Sequence, residues 1–199
     1  SIILWLLNIF GAFAVAILIA AAESAFVLFL LSRSRTASLR ASPPFGWALG
    51  LGIGSMQACV LIFRLFDQEL AYSDYSGVNV ISLTLAIVIA LCSSLGHALL
   101  ACWQGAELLE NNRLRPYVIS TVYRGALTTL LVLSLFTPFT LIAVLPGLAL
   151  AWNKAQSHWL PSGMTPAAKQ AYRRTTRQSE RHKEASESRI RGENIDSDE

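Results

Sequence analysis

Four long apolar segments occupy the first 152 residues: Ile2 to Leu31, Phe45 to Phe66, Val78 to about Trp103, and about Tyr117 to Trp152. A helix needs about 20 apolar residues to cross a hydrocarbon core ~30 Å thick. In that setting every backbone polar group must be satisfied within the protein, which an uninterrupted helix does. Charge is correspondingly sparse and uneven. Only 15% of residues are charged, against about 25% in soluble domains, and just over half of those lie from Lys169 onward. The expected fold is an all-α integral membrane protein: a polytopic bundle of about four transmembrane segments over residues 1–152, and a polar, partly helical, solvent-exposed tail over 153–199.

Ser1 is consistent with a trimmed initiator Met. A cleaved signal is disfavoured, because no Lys or Arg precedes the first apolar run and the run resumes through Phe26 to Leu31. Trp5, Trp47, Trp103, Trp152 and Trp159 all fall near segment ends, where amphipathic rings favour a membrane interface. Cys59, Cys92 and Cys102 lie in apolar runs without metal or redox spacing and read as small buried hydrophobes.

Sidedness follows from Lys and Arg in short loops. The first loop carries Arg33, Arg35 and Arg40, the third Arg113 and Arg115, and the second only the acids Asp67, Glu69 and Asp74. The positive-inside rule puts loops one and three in the cytoplasm. Segment four brings a conflict. A single crossing, the reading favoured slightly on base rates, sends a tail that begins basic to the outside; a hairpin folding at Thr137-Pro138-Phe139-Thr140 returns it.

The polar and small residues within these segments are the candidate functional features. Gly46, Gly50, Gly54 and Ala58 share one face of segment two and allow close helix approach, either to another segment of this chain or to a second protein. Ala12, Ala16 and Ala20 form a similar small face on segment one. Ser93, His97, Gln104, Glu107 and Asn111 recur at helical spacing along segment three. They read as an interhelical hydrogen-bond seam or as the wall of a hydrated vestibule. Glu23, His97 and Arg124 all lie ~9–12 Å below the surface that bears loops one and three, counting 1.5 Å per residue. A charge at such depth usually has a partner. Glu23 with Arg124 is the natural pair; snorkelling of Arg124 to the interface is the alternative. His97 has no second histidine at membrane depth, so neither a metal site nor a cofactor is expected.

In the tail, Thr165-Pro166 reads as a helix start, and Arg177–Glu180 and Lys183–Glu187 as supporting pairs. Its basic part could be attracted to anionic lipid headgroups. One aromatic, Tyr172, and abundant acids argue against nucleic acid. No catalytic signature is present. The expected role is a non-catalytic multi-pass membrane subunit (accessory, assembly or regulatory) that contacts the lipid bilayer and other membrane proteins. The alternatives are a small transporter or channel component built on Glu23, His97, Gln104 and Arg124, or a membrane-embedded enzyme. A plasma or bacterial inner membrane is expected over an organelle.

Overall fold

The structure is a computed structural model that describes residues 2–33, 40–67 and 77–191. Arg35, Glu69, Asp74, the last eight positions, and the side chains of Trp5, Asn8, Ala12 and Lys169 lie outside the described residues. Every regular element described is helical: α1 (Ile2–Leu31), α2 (Ser42–Phe66), α3 (Val80–Leu109), α4 (Leu114–Ser134), α5 (Thr140–Lys154) and α6 (Pro166–Arg191). Four of them, α1 through its Phe13–Leu31 stretch and α2, α3 and α4 over their full lengths, are long and apolar enough to cross a membrane. That makes the chain compatible with a multi-pass integral membrane protein.

Local chemistry sets the helix limits. Pro43 and Pro44 open α2, at positions where the missing N–H would be unpaired in any residue. A reciprocal capping box starts α3. Ser82 N–H donates to Asn79 Oδ1 at 2.7 Å, and Asn79 N–H donates to Ser82 Oγ at 3.0 Å. At the other end of α3, Asn111 adopts φ 64°. Its N–H donates to Leu108 O at 3.1 Å and that of Asn112 to Glu107 O at 3.2 Å, which is the Schellman closure.

α3 is the central helix. Gly46, Gly50 and Gly54 of α2 lie against its backbone: a Cβ at those positions would meet Ala101 O, His97 O and Ser93 O in turn. As one number rises by four the other falls by four, so the two helices run antiparallel with their backbones nearly touching. Ala58 continues the face, 3% exposed. The occupant of this face is therefore α3 of the same chain. Cys59 is exposed, unlike buried Cys92 and Cys102, which corrects the expectation that all three cysteines are internal. Cys59 sits one residue, or ~100° of helical turn, beyond the packed face.

Segment four is two helices, not one. α4 ends at Ser134, and the chain turns through residues 135–139. Thr140 Oγ bonds back to Leu130 O at 3.2 Å. α5 then packs on both α3 and α4, with Leu141 and Val144 buried among Leu85, Ala86, Ile89, Leu127 and Leu131. Further along, Trp152 meets Trp47 edge-to-face at 5.5 Å, and Gly163 approaches Arg40 O. The chain has returned to the end of the bundle where loop one lies. This corrects the leaning toward a single crossing; the hairpin forms at Pro138. After α5 a π turn (Ala155–Trp159) widens the helix just before Pro161, whose ring needs room beside the carbonyl four residues earlier. The compact unit ends at Gly163, past the expected limit at Trp152. The second unit, Met164–Glu199, contains α6, where Ala168 N–H donates to Thr165 Oγ at 3.3 Å.

Candidate functional site

The polar residues of three helices converge on one buried cluster. Ser93, His97 and Gln104 are separated by four and seven residues on α3, hence on one face. Ser120 and Arg124, four apart on α4, face them because α3 and α4 run antiparallel. α1 supplies the consecutive residues Glu23 and Ser24. His97, Gln104, Ser120, Ser24 and Arg124 are all fully buried, and Arg124 is the largest fully buried side chain described. Snorkelling of Arg124, the alternative read from the sequence, does not occur here.

Arg124 is held from three directions. Its Nη2 donates to Gln104 Oε1 at 3.2 Å. Its Nη1 lies 3.1 Å from His97 Nδ1 and 3.8 Å from Glu23 Oε2. A guanidinium can only donate, so in this contact Nδ1 is the acceptor and the imidazole carries its proton on Nε2. Glu23 Oε2 also lies 3.6 Å from Nδ1. That separation is beyond hydrogen-bond distance, so among the described residues Nδ1 serves Arg124 alone.

Gln104 organises the opposite side. Its Nε2 donates to Ser120 Oγ at 2.6 Å and to Ser24 O at 3.4 Å, and Ser120 Oγ donates in turn to Tyr117 O at 3.2 Å. One amide thereby ties α1, α3 and α4 together. In a low-dielectric surrounding each such bond is strong, and each unpaired group is costly. Four buried atoms of the cluster, Glu23 Oε2, Ser24 Oγ, His97 Nε2 and Arg124 Nε, have no protein hydrogen-bond partner among the described residues. The Glu23 side chain keeps 24% of its surface exposed, while its Oε2, the oxygen that faces Arg124, is buried.

The remaining predicted polar residues separate into different roles. Ser93 Oγ donates to Gly54 O at 2.8 Å, which extends the seam onto α2. Nearby, Gln57 Nε2 donates to Thr128 Oγ of α4 at 2.9 Å. Glu107 belongs to the end of α3: it accepts from Trp103 Nε1 at 3.2 Å and Asn112 Nδ2 at 3.4 Å, with Arg115 at 4.0 Å. Asn111 is not on the stripe at all. α3 has already ended at Leu109, and Asn111 is exposed, holding the left-handed position of the Schellman closure.

Ser24, Ser120 and Thr128 were missed by the sequence reading. Ser120 carried a usable signal, since it stands one helical turn before Arg124. Ser24 had only its adjacency to Glu23. No group of three or more His, Cys, Asp or Glu side chains is placed to hold a metal ion among the described residues. No protein-family model matches this chain, and no curated protein or solved structure does either.

Proposed function

We propose that the chain is a non-catalytic multi-pass membrane subunit, an accessory, assembly or regulatory component that packs against other membrane proteins. One observation carries this reading. The deep basic group is committed within the chain, with Arg124 engaged by His97, Gln104 and Glu23. A cation held this way acts as a lock between α1, α3 and α4, and is unsuited to following a substrate. The glycine face of α2 is filled by α3, so partners must meet the apolar exterior elsewhere.

The return of α5 supports one orientation. Loops one and three and the chain exit at Gly163 share an end of the bundle. On the positive-inside rule that end is cytoplasmic, and the basic start of the tail then follows the same rule. A plasma or bacterial inner membrane is the proposed location.

A second reading, a small transporter or channel component, is favoured by the unpartnered polar atoms of the cluster. The Glu23 side chain is partly exposed, and buried polar atoms of Glu23, His97 and Arg124 have no protein hydrogen-bond partner among the described residues. Purification from native membrane in mild detergent separates the two. The subunit reading expects proteins that co-purify in fixed ratio and are lost from Arg124→Gln but recovered in the Glu23→Gln/Arg124→Gln double variant. A lone monomer or homo-oligomer that retains a bound solute would overturn it.

A further inference from the structure

The two halves of α6 treat their charges differently. In the C-terminal half, Lys183 pairs with Glu187 at 3.9 Å and Arg191 with the same carboxylate at 4.0 Å. In the N-terminal half, Arg173, Arg177 and Arg181 succeed one another at four-residue steps with Arg174 beside them. None of these four forms an ion pair among the described residues. The pair Arg177–Glu180 read from the sequence is not made. Steps of four turn each successive guanidinium by only ~40°, so Arg173, Arg177 and Arg181 line one side of the helix over ~12 Å. The opposite side carries Ala168, Ala171, Thr175, Ser179 and His182, without formal charge at neutral pH apart from the histidine. Thr175 and Thr176 return their hydroxyls to the carbonyls of Ala171 and Tyr172 at 3.0 Å, and Glu180 is the one carboxylate of this half, so the four guanidinium forks stand against a single acid.

We propose that the Arg173/Arg174/Arg177/Arg181 face of α6 binds anionic lipid headgroups of the membrane in which the chain resides. Planar guanidinium forks match phosphate oxygens bidentately. Basic residues close to an anionic leaflet are attracted within about a Debye length of its surface. Chain connectivity supplies the proximity: Met164 directly follows Gly163, the last residue of the bundle, and Arg173 comes nine positions later. Tethering of this kind gives the headgroups a high effective concentration, so a stripe too short to bind membranes as a free peptide is sufficient here. Nucleic acid would need aromatic stacking or a larger basic field, and Tyr172 is the one aromatic residue of α6.

The inference rests on the membrane-subunit reading, and its test keeps the two apart. The full chain is reconstituted into nanodiscs of neutral phosphatidylcholine, or of the same lipid with a substantial fraction of phosphatidylglycerol, and digested briefly with trypsin. Cleavage after Arg173, Arg174, Arg177 and Arg181 should slow at least tenfold in the anionic discs and recover in high salt. The Arg173→Gln/Arg177→Gln/Arg181→Gln variant, still cleavable at Arg174, should be cut at equal rates in both lipids. Equal rates for the native chain, or equal protection in both lipids, overturns the proposal and leaves the subunit reading intact. Failure of the chain to enter either disc overturns both.

Discussion

The two halves of α3 make their contacts in opposite ways. From Leu85 to Cys92 the helix buries aliphatic surface against Leu61, Leu65, Leu127, Leu131, Leu141 and Val144. From Ser93 to Ala106 it buries His97 and Gln104 among Gly96, Ala98, Ala101, Cys102 and Gly105. In the bilayer setting proposed for the chain, lipid tails are as apolar as leucine, so the aliphatic half gains little from choosing a protein neighbour over lipid. The polar half has no such freedom. A buried guanidinium in lipid costs several kcal/mol (about 2.5–3.5 on insertion scales), and only the registered positions of Glu23, His97 and Gln104 relieve it. The lesson is a division of labour: small residues and polar bonds specify which helices meet and in what register, and aliphatic packing fills the rest.

The sharpest way to break this comparison is to set Arg124→Gln against Leu131→Ala. Breaking a buried ion pair costs about 3–5 kcal/mol, and the partial exposure of Glu23 moves Arg124→Gln toward the lower figure. Leu131→Ala leaves a cavity worth about 2 kcal/mol at the low end of large-to-small losses, lowered further if lipid or a neighbouring side chain fills it. Glu23→Gln placed on Arg124→Gln should recover part of the loss as a positive coupling. Thermal unfolding in detergent measures all three. A costlier Leu131→Ala, or strictly additive losses at 23 and 124, would place the specificity in the aliphatic half.

How much of this was legible beforehand differs between the halves too. The apolar segments and the level of Glu23, His97 and Arg124 followed from residue counting, because helical rise converts sequence distance from a loop into depth. The break in segment four was ambiguous. A Pro within a long apolar run is compatible with a kink or with a turn, and only the packing of Leu141 and Val144 onto α3 and α4 decides between them. Asn111 fitted the polar periodicity yet lies beyond the helix, since spacing cannot see a C-cap. Ser120 is a common residue of apolar helices, and only the position of the Gln104 amide gives its hydroxyl a role; Ser24 meets that amide through its backbone carbonyl, which no side-chain pattern reveals.

The glycine face of α2 sharpens the comparison at the next scale of energy. Gly50 and Gly52 stand two residues apart on the same helix. A Cβ at Gly50 would meet the backbone of His97 and Ala98, whereas one at Gly52 has nothing within 4 Å. Gly50→Ala should therefore cost about 1–3 kcal/mol, because backbone cannot yield as a side chain can. Gly52→Ala should gain up to about 1 kcal/mol, the helix-propensity difference. The two substitutions are chemically identical, so opposite signs in a detergent melting assay isolate the close approach itself. Equal shifts would mean that α2 and α3 stand further apart.

The smallest effect tests whether the chain after Pro138 belongs to the polar end at all. α5 begins beside the aliphatic half and finishes with Trp152 against Trp47, ring centroids 5.5 Å apart and planes at 61°. Edge-to-face aromatic pairs contribute about 0.5–1.5 kcal/mol beyond their buried area. A cycle of Trp47→Leu, Trp152→Leu and the double variant should thus show a coupling near 1 kcal/mol. A segment that crossed once and emerged on the far side would hold Trp152 a membrane thickness away from Trp47, where coupling vanishes because the sites share no neighbours. The sign and presence of this term matter more than its size. A positive value fixes the chain exit at Gly163 on the side of Arg40, whereas zero coupling would restore the single crossing and carry that exit to the opposite surface.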